Sequence, residues 1–309
     1  MRIAIVGAGG VGGYFGGRLA AAGADVTFIA RGAHLDALRT RGLRIESPKG
    51  GLHLPRVNAT DNPSDIGPVD IVFFAVKLYD AEPALGMLPP LVGSDTAVIP
   101  LQNGVEGVDI VSRAVGRAHT AGGTCYVSAV IAEPGVITHT AMDHLIFGEL
   151  GRIRAPRLER LLDACRPAGF QATLSDDIEV DIWTKFVRLS VFSGMTAVTR
   201  SPIGVIVNDP DLFGMLENAV AEAMAVANAN GIRVPASAVE DVARAYQTLP
   251  PQTKASMLED LERGRRLVLP WLSGAVARLG REAGVPTPIH TFITAVLRPL
   301  VNGTLGCLP

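Results

Sequence analysis

The chain has 309 residues, of which 48% are hydrophobic and 19% are charged, and its formal net charge is −2. This balance, without any run of lysine or arginine, excludes the basic surface of a nucleic-acid-binding protein. The apolar runs are too short to span a bilayer, and the first one leads into glycines rather than a signal-peptide cleavage region. The length favours two domains. Three scattered cysteines, Cys125, Cys165 and Cys307, suit a reducing cytoplasm, and the dispersed histidines indicate no metal site.

The first thirty residues predict a strand, a helix and a second strand around a glycine-rich loop. Apolar residues 3–6 precede Gly7, Gly9 and Gly12, which have G-x-G-x-x-G spacing, and residues 26–30 form the second strand. Such glycines allow a tight turn, close approach of the backbone to a pyrophosphate, and close packing of helix on strand. The helix N-terminus offers N–H groups and the positive end of its dipole to the phosphates. We therefore expect a dinucleotide to bind here, at Gly7, Ala8, Gly9, Gly10, Val11 and Gly12.

The end of the second strand indicates which dinucleotide is bound. An NAD site favours an acidic residue there, to bind the ribose hydroxyls, whereas an NADP site favours a cation, to bind the 2′-phosphate. This chain has Ala30 followed by Arg31. A guanidinium group can donate two parallel hydrogen bonds to a phosphate. We expect NADP(H), with an ordinary solvated arginine as the alternative reading of Arg31.

Further apolar runs extend the sheet. Residues 70–77 and 97–101 read as buried parallel strands, with a helix between them, and polar residues follow each strand. Lys77 ends the first run and Asn103 follows the second, at the edge where open α/β sheets bind their ligands. Alternating residues 124–131, 136–139 and 144–147 predict an antiparallel extension of the same sheet. A helix at residues 157–168 and a strand at 170–174 complete this part.

The second half of the chain is predicted to be helical. Apolar residues recur at helical spacing over residues 177–198, 210–230, 236–249, 256–263, 267–283 and 291–301. The sequence therefore predicts an α/β fold with two domains, a Rossmann-type dinucleotide-binding domain at residues 1–175 and an all-α domain at residues 176–309. We expect a small-molecule carbonyl or hydroxy substrate to bind in a cleft between them. The apolar helix faces could also supply a homodimer interface.

Lys185 is the candidate proton donor. A reductase that adds hydride to a ketone must also deliver a proton to the developing alkoxide, and a positioned lysine can do so. Lys185 is a single cation in an otherwise apolar helical run that includes Trp183 and Phe186. The alternative is a lysine at the edge of a helix whose ammonium group reaches water.

Seven short motifs, taken in order and spacing, resemble the ketopantoate reductase (2-dehydropantoate 2-reductase) family over nearly the whole chain. They are G-A-G-G-V-G from Gly7, V-K at Val76, Q-N-G at Gln102, P-G-x-x-x-H-T from Pro134, W-x-K at Trp183, T-A at Thr196 and S-M-L-x-D from Ser256.

The resemblance implies a helical domain like the C-terminal domain of 6-phosphogluconate dehydrogenases, and NADPH-dependent reduction of a 2-oxo acid. It implies that Lys185 donates the proton and that Arg31 and Lys77 meet the 2′-phosphate region of the cofactor. It places Asn103 near the nicotinamide ribose and the substrate, and Ser256 at the substrate carboxylate.

Several positions depart from the family pattern. Leu189, Ser193 and Ile203 stand where the family has asparagines, and Val268, Pro270 and Ser273 stand where it has glutamate, aspartate and asparagine. Because hydrogen-bonding groups give strong substrate discrimination, their loss from the substrate wall predicts a bulkier or more apolar substrate than ketopantoate. Two alternatives stay open: an NADP-dependent dehydrogenase of an apolar hydroxy compound, and a non-catalytic dinucleotide-binding protein.

Overall fold

A computed structural model describes residues 1–234 and 237–303. The strands, in chain order, are β1 (Arg2–Val6), β2 (Asp25–Ile29), β3 (Leu43–Glu46), β4 (Leu52–Leu54), β5 (Asn58–Thr60), β6 (Val69–Phe74), β7 (Val92–Pro100), β8 (Ala121–Glu133), β9 (Val136–Glu149) and β10 (Gln171–Leu174). The helices are α1 (Gly10–Ala21), α2 (Gly32–Arg41), α3 (Ala81–Ala84), α4 (Gly107–Val115), α5 (Pro156–Cys165), α6 (Ile178–Thr199), α7 (Ile203–Asn208), α8 (Pro210–Ala229), α9 (Ala238–Gln247), α10 (Ser256–Glu262), α11 (Ser273–Ala283) and α12 (Pro288–Leu297).

The first sheet is parallel and has the strand order β5-β2-β1-β6-β7. Its register aligns Val6, the last residue of β1, with Ile29 of β2 and Phe74 of β6. The loops that follow these three strands therefore leave the sheet at one edge. This arrangement confirms the predicted Rossmann-type domain.

The second sheet was not predicted. β8 and β9 pair as antiparallel strands, but β9 also pairs in parallel with β3 and β10, which gives the order β10-β9-β3-β4. In the described part of the chain, the only backbone pairing between β7 and the second sheet's side is the isolated bridge between Val98 and Thr120, the residue before β8. The expectation of a single extended sheet is therefore wrong.

Helix α1 explains why the two sheets are separate, because it lies between them. A Cβ atom added to Gly16 would come within 2.7 Å of Phe28 and 2.8 Å of Ile5, in the first sheet. A Cβ added to Gly17 would come within 2.7 Å of Ile45, in the second sheet. Glycines on both sides of the helix thus let a sheet pack closely against each face.

The helices of the second half agree with the predicted all-α domain, with two local differences. The helix predicted at residues 267–283 begins only at Ser273, after a 3₁₀ turn at Leu269–Trp271 that contains Pro270. Proline lacks the N–H that a continuing helix needs. The six-residue helix α7 was not predicted, because so short a segment carries too little periodicity. The start of the predicted helix at Ala236 lies outside the described residues.

Two compact units divide the chain. One comprises Met1–Gln102 and Glu106–Asp181, and the other comprises Asn103–Val105 and the chain from Ile182 onward. The predicted domain boundary at residue 175 precedes α6, whereas the units divide within the first turn of that helix. The short Asn103–Val105 segment, although it follows β7, is grouped with the helical unit.

Among the described residues, no helix is long and apolar enough to cross a membrane. No group of three or more histidine, cysteine, aspartate or glutamate side chains is arranged there to hold a metal ion. Cys125 and Cys165 are buried, and burial raises the pKa of the Cys165 thiol to about 12. Cys307 lies outside the described residues.

Candidate functional site

The glycine loop (residues 7–12) joins β1 to α1, and each of its motif glycines has a different surrounding. Gly7 has φ = +96°, and a Cβ there would lie 2.8 Å from the Val76 nitrogen. A Cβ on Gly12 would collide with the Gly7 carbonyl and approach Ile5 to 2.7 Å. A Cβ on Gly9, in contrast, would meet no atom within 4 Å. The first two glycines therefore permit tight packing, and Gly9 leaves the outer side of the loop open.

The N-terminus of α1 has the character of an anion site. Gly9 is its N-cap residue, and no side chain caps the helix. The first turn, which contains Gly10, Val11 and Gly12, holds no acidic residue. Exposed N–H groups and the positive end of the helix dipole favour a phosphate in this position. The open cradle at Gly9 and these donors fit the pyrophosphate of a dinucleotide.

Ala8 and Gly10 lie against other parts of the first unit. The Ala8 side chain is buried, and its N–H donates to the Ile29 carbonyl at 3.3 Å. A Cβ on Gly10 would collide with the Ala129 carbonyl of β8. These two residues of the predicted cofactor site therefore shape the loop through their backbones.

Two cations lie at the edge of the first sheet where the glycine loop begins. Arg31 is exposed at the N-cap of α2, two residues after β2, and Lys77 is exposed three residues after β6. Since β1 separates β2 from β6, the ends of these two strands are roughly 10 Å apart. Long side chains from both sides can converge on one phosphate. No acidic residue lies between Ile29 and His34 to bind ribose hydroxyls instead.

Lys185 and Asn103 are brought into direct contact within the helical unit. Lys185 lies on α6 and is only 8% exposed, and its Nζ donates a hydrogen bond to Asn103 Oδ1 at 2.9 Å. Next to it, Trp183 and Phe186 make an edge-to-face contact with ring centroids 5.5 Å apart. The ammonium group is therefore held in a sheltered position beside a polar amide, where it can interact with a developing negative charge.

The other predicted substrate residues lie on different elements of the helical unit. Leu189 and Ser193 follow Lys185 by one and two turns on the same face of α6; Leu189 is half-buried, and Ser193 is fully buried. Val268 is buried before the 3₁₀ turn, whereas Ser256 is exposed as the first residue of α10. The structure thus places Lys185 in direct contact with Asn103. The other predicted substrate residues lie on α6, on α10 and just before the 3₁₀ turn.

Comparison with known proteins agrees with this architecture. The family described as "Ketopantoate reductase PanE/ApbA" matches residues 3–152, and its C-terminal family matches residues 177–301. The chain belongs to the ketopantoate reductase family. A 2-dehydropantoate 2-reductase of Mesorhizobium japonicum is 32% identical, and the alignment covers 97% of this chain and 98% of the relative.

Solved structures of the ketopantoate reductase family have the same fold as this chain. The 2-dehydropantoate 2-reductase of Geobacter metallireducens GS-15 has a TM-score of 0.90 at 28% identity and covers 97% of this chain and 99% of its own. The PanE/ApbA family ketopantoate reductase of Ralstonia eutropha JMP134 has a TM-score of 0.87 at 30% identity, with coverages of 97% and 98%. The chain is accordingly a dinucleotide-binding oxidoreductase that acts on a keto/hydroxy pair.

The positions that depart from the ketopantoate reductase pattern are mostly enclosed. Ile203 is fully buried at the start of α7, and its N–H donates to the Thr253 carbonyl at 2.9 Å. Ser273 is fully buried, and its hydroxyl donates to the Ser190 carbonyl of α6 at 3.3 Å. The Ser193 hydroxyl has no hydrogen-bond partner among the described residues. Small or apolar side chains therefore fill space here without presenting an array of polar groups.

Glu222 has a role that sequence reasoning missed. The sequence suggests either a buried partner of a lysine or, more simply, an exposed helix face. Instead, its two carboxylate oxygens accept hydrogen bonds from the N–H groups of Ile289 at 2.9 Å and His290 at 3.1 Å. Glu222 on α8 thus caps the N-terminus of α12. Nothing in the local sequence signals this contact, because 67 positions separate Glu222 from Ile289.

His34 makes two contacts that the sequence did not single out. Its ring contacts the Ala8 carbonyl of the glycine loop at 2.8 Å and the Gly135 N–H at 3.1 Å. The sequence indicates only that His34 belongs to a short helix. Its contact with residue 135 depends on the second sheet, which was not predicted.

Proposed function

We propose that this protein uses NADPH to reduce the carbonyl group of a small 2-oxo acid, and that Lys185 donates the proton. The observation that carries the proposal is the hydrogen bond from the buried Lys185 ammonium to Asn103. The Mesorhizobium japonicum relative named 2-dehydropantoate 2-reductase supports a substrate of the 2-oxo acid class.

The preference for NADPH rests on the sheet edge. Arg31 and Lys77 supply two exposed cations there, and no acidic residue directly follows β2. A 2′-phosphate would gain charge-assisted hydrogen bonds from Arg31, which the 2′-hydroxyl of NADH could not form as strongly. When bound, the nicotinamide supplies the hydride that adds to the carbonyl carbon.

The chain's own residues would handle the proton. As negative charge develops on the carbonyl oxygen, the Lys185 ammonium stabilises it and transfers one proton to that oxygen. The resulting neutral amine then takes a proton from solvent before the next cycle. Asn103 orients the ammonium group through its Oδ1 atom. The exposed Ser256 hydroxyl would hold the substrate carboxylate.

The substrate side chain is proposed to be more apolar than that of ketopantoate. Leu189 is half-buried and lies one turn after Lys185 on the same face of α6. Val268 is buried and directly precedes the 3₁₀ turn. An apolar wall gains from burying apolar surface but offers no partner to a substrate hydroxyl. The same residues would serve an NADP-dependent dehydrogenase of an apolar hydroxy compound, with Lys185 as the base.

A substrate screen tests these proposals. NADPH absorbance would be followed with ketopantoate and with 2-oxo acids of increasing apolar bulk, and NADP⁺ reduction with the matching hydroxy acids. We expect kcat/KM above about 10⁴ M⁻¹s⁻¹ for a bulky apolar 2-oxo acid. A comparable value for ketopantoate would contradict the apolar-substrate proposal. No turnover across both panels would favour a non-catalytic dinucleotide-binding protein.

A homodimer is also proposed. Phe292 and Val296, which are one turn apart on α12, are 54% and 46% exposed. Together they present apolar surface that a second copy of the chain would cover. Sedimentation of the wild-type protein and of Phe292→Asp would test this assignment, because the charge should shift a dimer toward monomer.

A further inference from the structure

The His34 imidazole lies between two parts of the first unit that are far apart in sequence. Nε2 is 2.8 Å from the Ala8 carbonyl oxygen in the glycine loop, and Nδ1 is 3.1 Å from the Gly135 nitrogen in the turn before β9. The ring is half-buried on the first turn of α2. It therefore connects the glycine loop to the second sheet.

The two contacts determine the protonation of the ring. A main-chain N–H can only donate, so Nδ1 must accept from Gly135; a carbonyl can only accept, so Nε2 must carry the proton. One neutral tautomer satisfies both bonds, and a charged imidazolium would place two donors against each other at Gly135. Burial lowers the pKa of His34, which favours the same neutral form.

The bond to Ala8 has a geometric consequence for Gly9. A trans peptide is planar, so the Ala8 carbonyl and the Gly9 N–H of the same peptide point in opposite directions. Holding the carbonyl toward His34 directs the Gly9 N–H away from it. Gly9 is the loop position where an added Cβ would meet no atom within 4 Å.

We propose that His34 is a positioning residue of the cofactor site, which holds the Ala8 carbonyl and thereby directs the Gly9 N–H toward the bound pyrophosphate. The inference rests on the proposed binding of NADPH. The turn before β9 has its own supports, because Arg41 donates to the Pro134 carbonyl at 2.9 Å and Arg44 N–H donates to the Gly135 carbonyl at 2.9 Å. The bond to Gly135 is thus one of several there, and the bond to Ala8 is the one that reaches the glycine loop.

Three substitutions at His34 distinguish the effects of losing each hydrogen bond. In His34→Gln the amide N–H can occupy the position of Nε2 and donate to Ala8. In His34→Asn the shorter amide can occupy the position of Nδ1 and accept from Gly135, but it does not reach Ala8. His34→Phe keeps a ring of similar size and removes both bonds. The dissociation constant for NADPH would be measured by fluorescence titration of each full-length variant, with unfolding temperature measured in parallel.

We expect His34→Phe and His34→Asn to raise the dissociation constant about tenfold, and His34→Gln to stay within about threefold of wild type. The KM for NADPH should follow the dissociation constant, while kcat changes little. Equal affinities for the Asn and Gln variants, with equal losses of unfolding temperature, would overturn the inference and leave His34 a purely structural residue. If His34→Phe fails to fold, the Asn and Gln pair decides the question. If wild type binds neither NADPH nor NADH, the proposed function fails instead.

Discussion

The Nζ atom of Lys185 donates a hydrogen bond to Oδ1 of Asn103 at 2.9 Å, although 82 positions separate the two residues. Helix α6 supplies the lysine, and the segment after β7 supplies the amide. Because the Lys185 residue is only 8% exposed, its ammonium group would lose much of its hydration, and the amide oxygen replaces part of it. This pair is the structural basis for the proposal that Lys185 donates the proton.

Replacing Lys185 should abolish proton donation without affecting the cofactor. We expect Lys185→Ala and Lys185→Met to lower kcat by at least about 10²-fold, because a positioned general acid contributes on that scale. The dissociation constant for NADPH should stay near the wild-type value. Lys254→Ala is the matched control, since Lys254 pairs with Glu262 in the same unit and is proposed to have no catalytic role. Unchanged turnover in both Lys185 variants would refute the mechanism.

Arg31→Ala should weaken NADPH binding selectively. Loss of a charge-assisted hydrogen bond costs about 1.5–3 kcal/mol, which corresponds to a roughly 10- to 100-fold higher dissociation constant. Binding of NADH, which lacks the 2′-phosphate, should change less than about threefold. Arg39→Ala, on the same helix, is the control because Arg39 pairs with Asp61 at 3.3 Å. An equal loss of affinity for both cofactors would show that Arg31 does not read the 2′-phosphate.

The sequence predicted those parts of the site that are local. The glycine loop and the cations Arg31 and Lys77 follow strands whose apolar pattern is easily recognised, so their common sheet edge could be inferred. Lys185 and Asn103 were each identified as site residues, but periodicity within one element cannot show a hydrogen bond between two. Their roles in cofactor binding and catalysis stay predictions until they are measured.

The remaining features depend on tertiary packing. Alternation of apolar and polar residues identified β8 and β9 as strands, but it could not show that β9 pairs with β3 and β10, which are distant in the sequence. Gly16 and Gly17 let both sheets approach α1, but the sequence does not show that two different sheets would pack against these glycines. The cap that Glu222 gives to the N-terminus of α12 also depends on tertiary packing. A carboxylate within a helix pattern does not reveal which helix terminus it will meet.

Removing one partner of a buried ion pair should destabilise the first unit. Arg157 on α5 and Glu149 of β9 form two hydrogen bonds of 2.6 and 2.7 Å, and their side chains are 11% and 4% exposed. Arg157→Ala would leave the carboxylate buried without its partner, at a cost of about 3–5 kcal/mol in the free energy of unfolding. Arg160→Ala on the same helix breaks the exposed pair with Asp95 and should cost less than about 1 kcal/mol.

Urea denaturation of the two α5 variants would measure the difference. The double variant Arg157→Met with Glu149→Leu should lose less stability than the sum of the losses in Arg157→Met and Glu149→Leu alone, because it leaves no uncompensated charge. Similar losses for Arg157→Ala and Arg160→Ala would show that leaving Glu149 without its partner costs no more than breaking a surface pair.

His290 should make the protein less stable in acid. It is fully buried, its Nε2 lies 3.0 Å from the Ala219 carbonyl, and burial lowers its pKa from 6.5 to about 4. Between these values the unfolded chain binds a proton that the folded protein does not, so the free energy of unfolding falls as pH decreases from about 6.5 to about 4. The full loss is on the order of 3 kcal/mol, at about 1.4 kcal/mol per pH unit. Above about pH 7.5 and below about pH 3 this contribution should be constant.

Glu222 acts in the opposite direction, because burial raises the pKa of its carboxyl group, and the folded protein therefore takes up a proton before the unfolded chain does. The comparison must accordingly be made between variants rather than from wild type alone. Urea denaturation at pH values from 4.5 to 7.5 should give a smaller decrease for His290→Phe than for wild type. The exposed His53 provides the control, since His53→Phe should retain the wild-type slope. A His290→Phe variant with an unchanged slope would mean that another group controls acid stability, whereas a flattened slope would identify the α8–α12 contact as the acid-sensitive part of the helical unit.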